Sequence, residues 1–292
     1  MLQGSYTALV TPFKNGEIDY YALEKLIEFQ LENKTDGILL CGTTAESPAL
    51  AGDEKWQLIR FCMRKIDKKV PVMIGTGTNN LNSTVAQTRR AFDAGADSAL
   101  VITPYYNKPT QNGMKEYFSR IAEKTEIPLV IYNVPGRTGV NINAETVAWL
   151  ASNITSVKAV KEASGSLTQA SKIIKETADD FTLFSGEDAL NLPLMAVGAK
   201  GCISVTSNII PEKVHDLIKL SLDGDFEKAR KIHHEIEDLN EIMFVETNPI
   251  PVKEALALMG YIEPLFRMPL CNLAAENKKK LINVLKVHNL IK

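Results

Sequence analysis

Short apolar runs alternate with amphipathic stretches eight times along this chain, and that alternation limits the fold more than any other feature. The apolar runs, rich in Val, Ile and Leu, lie at 6–10, 37–41, 70–75, 98–103, 129–133, 157–161, 182–185 and 202–206. The stretches between and after them, at 20–33, 53–66, 81–94, 113–124, 144–151, 167–178, 188–197 and 212–220, carry helical spacing. Strand followed by helix, repeated throughout, makes a parallel sheet, because each helix returns the chain to start the next strand in the same direction. Eight such units within about 220 residues fit a closed (β/α)8 barrel, whose usual size is ~250 residues. A doubly wound open sheet shares the alternation but is marked by Gly-x-Gly-x-x-Gly after its first strand. Here only the fragment Gly75-Thr76-Gly77 exists.

Local punctuation agrees with this parse. Asp19 and Asn143 stand where helix N-caps are needed. Gly95, and the segment 197–201, stop helices just before strands. From about residue 223 strands cease, and 226–245, 251–259 and 274–287 read as helices punctuated by Asn248-Pro249-Ile250-Pro251 and the proline-bounded segment 264–269. The expected architecture is α/β: a TIM barrel over 1–222, with a small C-terminal helical domain over 223–292. His233-His234-Glu235 falls on the first of those helices. Too few further ligands accompany it for a metal site, so it reads as a solvated face.

Composition narrows the function classes. With 292 residues, 45% hydrophobic and 23% charged, the chain can bury a large core. The formal net charge is -2 and no Lys/Arg run stands out, so a nucleic-acid or acidic-membrane role lacks electrostatic support. No apolar run is long enough to span a bilayer, and the first residues lack a secretory leader pattern. Cys41, Cys62, Cys202 and Cys271 form no ligand spacing and read as reduced thiols, so a cytoplasmic protein is expected.

In such barrels the site is built at the C-terminal ends of the strands. The run Val157-Lys158-Ala159-Val160-Lys161-Glu162-Ala163-Ser164 puts Val157, Ala159, Lys161 and Ala163 on one face by period-two alternation. A lysine facing inward among small apolar residues has little solvation for its ammonium. That environment favours the neutral amine, a nucleophile toward carbonyls. The other reading of Lys161 is a strand-end cation paired with Glu162 or another carboxylate. The second run exits into Gly42-Thr43-Thr44-Ala45-Glu46, a turn whose N–H groups and hydroxyls can hold a carboxylate. The fourth exits through Tyr105-Tyr106. The fifth exits through Tyr132, on the face of Val130, into the Pro/Gly loop around Arg137. A phenol can relay protons and a guanidinium can grip a carboxylate, although packed aromatics and a surface ion pair are the plain alternatives. The seventh and eighth exits, Ser185-Gly186-Glu187-Asp188 and Ser204-Val205-Thr206-Ser207-Asn208, are close-approach turns with free backbone groups.

Three of these motifs, Gly42-Thr43-Thr44-x-Glu46, Tyr132-Asn133-x-Pro135-Gly136-Arg137-Thr138-Gly139 and Lys161-Glu162, occur in the order found in the pyruvate-dependent class I aldolases, the N-acetylneuraminate lyase superfamily. Within it the chain resembles the dihydrodipicolinate synthase family over essentially its whole length. The resemblance implies a lyase that condenses pyruvate with L-aspartate 4-semialdehyde, on the route to diaminopimelate and lysine. Lys161 would form the Schiff base, with Tyr132, Thr43 and Tyr106 as the proton relay and Tyr106 supplied by a neighbouring subunit. Thr44 would hold the pyruvate carboxylate and Arg137 that of the semialdehyde. Gly186 and Ile203 would offer main-chain groups. It further implies a homotetramer built as a dimer of dimers, with no metal or organic cofactor.

Two departures from the family pattern stand out. Ala45 occupies a usual glycine position, where a left-handed backbone would be constrained by its methyl group. Gly52 and Lys55 stand where lysine-regulated members carry histidines, and Ser83 where they carry a glutamate, leaving Asn79 and Tyr105 of that site. A cationic Lys55 would repel lysine, so little or no feedback inhibition is expected. The rivals are a sister aldolase, acting on 4-hydroxy-2-oxoglutarate, a 2-keto-3-deoxy sugar acid or N-acetylneuraminate, and a non-catalytic small-molecule binding barrel. Arg137 suits a short carboxylate-bearing aldehyde better than a polyol.

Overall fold

The computed structural model describes residues 2–292. Ten strands form among them. β1 (Gly4–Ala8) is followed by the short pair β2 (Phe13–Lys14) and β3 (Glu17–Ile18), then by β4 (Gly37–Leu40), β5 (Val72–Gly75), β6 (Ser98–Ile102), β7 (Leu129–Asn133), β8 (Val157–Glu162), β9 (Thr182–Ser185) and β10 (Gly201–Ser204). Eight of them, all parallel, close a barrel in the order β1-β10-β9-β8-β7-β6-β5-β4, with β1 pairing both β10 and β4. This is the (β/α)8 architecture the alternation predicts, and helices Ile250–Leu258 and Ala275–Val287 follow it.

The apolar side chains divide into two layers. An outer layer packs strands against helices and includes Ile38, Ile74, Val101, Ile131, Val160 and Leu183. An inner layer fills the barrel with Tyr6, Leu39, Met73, Leu100, Val130, Tyr132, Ala159, Phe184 and Ile203. Consecutive residues such as Val130 and Ile131 serve opposite layers, as strand pleating requires. The inner layer needs at least one glycine: a Cβ at Gly37 would lie 2.3 Å from the Tyr6 ring, which meets Phe184 edge-on at 5.3 Å.

Several boundaries differ from the sequence reading for identifiable reasons. Val157 belongs to the outer layer, away from Ala159. The ladder between β7 and β8 slips here, pairing Leu129 with Val157 but Val130 with Ala159. Lys158 is the extra residue, and such a bulge resets the alternation. The β2–β3 hairpin turns on Asn15 (φ 52°) and Gly16 (φ 82°), the left-handed pair that favours tight hairpins. The helix expected over 226–245 divides into Phe226–Glu235 and Glu237–Ile242, breaking at buried Ile236. The one expected over 188–197 opens as a 3-10 turn, Asp188–Leu190, and continues as Asn191–Ala196. Asp188 is drawn away to accept from the N–H groups of Val205 and Thr206 at 2.8 and 3.0 Å. Asp19 caps its helix by accepting from Ala22 N, whereas Asn143 occupies the cap position without that bond.

Candidate active site

β8 carries Lys161 into the inner layer, between Ala159 and Ala163, and leaves it 6% exposed. Its neighbour Glu162 lies on the other face of the strand. There the Glu162 carboxylate accepts from Asn133 Nδ2 at 3.2 and 3.0 Å, from Gln169 Nε2 at 3.0 Å and from Ser164 N–H at 2.8 Å. Glu162 is thus satisfied without a cation, and Lys161 makes no ion pair among the described residues. That removes the reading of Lys161 as half of a strand-end salt bridge. Tyr132 is its register partner on β7, and Lys161 Nζ stands 4.6 Å from the centre of the Tyr132 ring.

The turn after β9 closes against this lysine. Gly186 N–H donates to Glu162 O at 2.8 Å. A Cβ at Gly186 would fall 2.7 Å from Ala163 Cβ, 3.0 Å from Glu162 O and 3.1 Å from Lys161 Cε. Only glycine fits so close an approach. Ile203, on β10, is buried in the same inner layer as Tyr132.

The turn after β4 is shaped by two left-handed residues, Cys41 and Glu46, both at φ 55°. Between them Thr43 lines a cavity of about 320 Å³ together with Gly42, Tyr132, Arg137 and Thr138. Tyr132 therefore connects the cavity to Lys161. Thr44 is buried, and its Oγ1 accepts from Asn248 Nδ2 at 3.0 Å. Arg137 makes no ion pair among the described residues. It sits on a single helical turn, Pro135–Thr138, rather than in an open loop, and donates from Nη2 to Asn248 O at 3.2 Å. Tyr106 lies outside the cavity lining, at φ 71° and 90% exposed. The chain brings Lys161, Tyr132, Thr43, Gly186 and Ile203 to one end of the barrel, ties Thr44 to Arg137 through Asn248, and leaves Tyr106 on the surface.

Glu46 anchors the turn from behind. Its carboxylate accepts from Lys253 Nζ at 2.6 Å and from Arg267 N–H at 2.8 Å. Lys253 is fully buried, also donates to Leu265 O at 2.6 Å, and lies 4.3 Å from the centre of the Phe13 ring. Burial pulls its amine down to about 8, against the opposing pull of Glu46.

The Dihydrodipicolinate synthetase family model matches residues 1–288. The chain belongs to the dihydrodipicolinate synthetase family. A relative from Hydrogenobaculum sp., a 4-hydroxy-tetrahydrodipicolinate synthase, is 49% identical over 291 residues and the match covers 100% of both chains. One of the same name from Aquifex aeolicus is 48% identical over 290 residues, 99% of each. The crystal structure of dihydrodipicolinate synthase from Aquifex aeolicus superposes with a TM-score of 0.97 at 47% identity, over 99% of each chain. That from Thermotoga maritima gives 0.98 at 42% identity over 100% of each.

Ala45 does not take the left-handed backbone that its methyl group would constrain. The left-handed residue is Glu46, and Ala45 is absent from the positive-φ positions; its carbonyl accepts from Thr11 Oγ1 at 2.8 Å. Asn248 and Lys253 escape a search restricted to strand ends, and Glu46, although part of the exit of the second run, receives no role there. Asn248 had shown itself only as part of a Pro-rich boundary, and Lys253 as one residue of an apolar helix. The signal that could have found Lys253 is its helix: every residue from Ile250 to Leu256 is buried, which obliges a charged member to have a partner.

Proposed function

We propose that this family member is a 4-hydroxy-tetrahydrodipicolinate synthase, joining pyruvate to L-aspartate 4-semialdehyde through a Schiff base on Lys161. The observation that carries this is a buried lysine with no counter-ion among the described residues, beside a tyrosine that also lines the cavity. The neutral amine adds to the C2 carbonyl of pyruvate. Loss of water leaves a protonated imine, the electron sink that makes a separate cofactor unnecessary. A C3 methyl proton then leaves to the relay of Tyr132, Thr43 and Tyr106, and the electron pair forms the enamine. Enamine C3 attacks the aldehyde carbon, whose oxygen takes up a proton to become the 4-hydroxyl. The amino group of the former semialdehyde adds to C2, the ring closes as a cyclic imine, and the Lys161 amine is released.

Thr44 and the backbone beside it hold the pyruvate carboxylate, and Arg137 holds that of the semialdehyde. Gly186 and Ile203 shape the floor with main-chain groups. Tyr106 completes the relay from a neighbouring subunit of a homotetramer, a dimer of dimers, and its 90% exposure supports that role. Residues 1–222 form the catalytic barrel and 223–292 a helical unit that braces it, and the Lys253–Glu46 and Asn248–Thr44 bonds across the boundary support the bracing. Four free cysteines suit the reducing cytoplasm. Lys55 lines the same cavity as Thr43, Tyr132 and Arg137 and donates to Gly75 O and Gln87 Oε1, and a lysine side chain there in place of a histidine supports insensitivity to lysine.

Turnover of the two substrates, coupled to reduction of the product, tests the assignment beside a Lys161→Ala control. Activity confined to the wild type supports it. A pyruvate adduct without turnover moves the second substrate to that of a sister aldolase, among which Arg137 disfavours the sugar-acid enzymes more than the 4-hydroxy-2-oxoglutarate one.

A further inference from the structure

Asn248 touches two of the residues assigned to carboxylate recognition, from a segment far away in sequence. It is 5% exposed, at the start of the helix Ile250–Leu258. Its side-chain Nδ2 donates to Thr44 Oγ1 at 3.0 Å, and its backbone carbonyl accepts from Arg137 Nη2 at 3.2 Å. Its own Oδ1 is buried without a partner among the described residues.

A hydroxyl has one proton and two acceptor sites. The Asn248 amide fills one acceptor site of Thr44, so the Thr44 proton points elsewhere. Among the described residues no group accepts it, since the Asn248 amide is the only partner of Thr44 Oγ1. Thr44 is thereby fixed as a donor, the polarity a carboxylate ligand requires. Arg137 is served differently. A neutral carbonyl orients the guanidinium while leaving its charge and its other N–H groups for a ligand, whereas a carboxylate in the same place would cancel that charge.

We propose that Asn248 is a positioning residue that makes the site selective for carboxylates: its amide sets Thr44 as a donor and its carbonyl aims Arg137. The proposal rests on the roles given to Thr44 and Arg137 in the proposed function. It assigns the C-terminal segment a part in substrate choice, in addition to bracing the barrel.

The test is borohydride trapping across a range of pyruvate concentrations, repeated with pyruvamide, which has a neutral amide in place of the carboxylate. Asn248→Asp keeps the shape but replaces the donor with an acceptor, which captures the Thr44 proton. The expected result is half-trapping at roughly 10- to 100-fold more pyruvate, the size of one charge-assisted hydrogen bond, with a much smaller change for pyruvamide. Asn248→Ala should shift the same ratio in the same direction, and a melting curve identifies whichever variant is folded. Thr44→Val should remove the effect, so that the double variant is no worse than Thr44→Val alone. Equal losses for pyruvate and pyruvamide, or wild-type pyruvate affinity in Asn248→Asp, would overturn the proposal. Failure of the wild type to trap pyruvate at all would instead overturn the functional reading beneath it.

Discussion

Lys161 and Glu162 are adjacent in sequence and opposite in role because strand pleating sends them to different environments. Glu162 faces a polar network of Asn133 and Gln169; Lys161 faces the apolar interior. This much was legible from period-two alternation, since Ala159 and Ala163 share the lysine's face. Val157 was not, because a bulge leaves no mark in composition. Asn248 was not, because its importance lies in two contacts, 111 and 204 residues away in sequence. Gly186 gives a test at this scale. In Gly186→Ala the new methyl meets Lys161 Cε and a backbone oxygen, so the turn opens or the lysine moves. Displacements near 1 Å can cost about 100-fold in rate. We expect kcat to fall by roughly 10- to 100-fold, with a lowered melting temperature from the overpacked turn; an unchanged kcat would contradict this packing.

Among the elements, the helix Ile250–Leu258 and the turn after β4 behave as one piece, joined by the Lys253–Glu46 pair. Breaking a buried ion pair from one side leaves the other charge uncompensated. Lys253→Met should therefore lower the unfolding free energy by about 3–5 kcal/mol, measured by urea titration. The pH dependence has a definite sign. The folded protein holds Lys253 near 8, below the ordinary lysine value of 10.5. Between these values the unfolded chain retains a proton that the folded chain has released, so the Lys253 contribution rises with pH across that window. The stability difference between wild type and Lys253→Met should grow from pH 8 to 10.5; a decrease would refute the burial argument. Strands were legible within a few residues because burial on both faces makes them continuous apolar runs. The β2–β3 hairpin was overlooked despite its Asn15-Gly16 signal, since two-residue strands carry no periodicity. The break at Ile236 was invisible because apolar spacing continues on both sides of it.

For the whole molecule, eight βα units closing on themselves explain why residues from β4, β7, β8, β9 and β10 meet at one end. Tyr106, exposed and outside the cavity lining, is the relay member proposed to come from a neighbouring subunit. Mixed oligomers of two inactive variants, Tyr106→Phe and Lys161→Ala, should regain activity, because one site per mixed pair receives an intact lysine and an intact tyrosine. Random exchange would restore on the order of a quarter of the sites; no recovery after verified exchange would place Tyr106 outside the relay. The chemistry of Lys161 is tested by mass spectrometry of the protein reduced with borohydride in the presence of pyruvate. A single adduct mapping to Lys161, absent from Lys161→Ala, is the predicted result. An adduct on another lysine, or an undiminished adduct in Lys161→Ala, would contradict it.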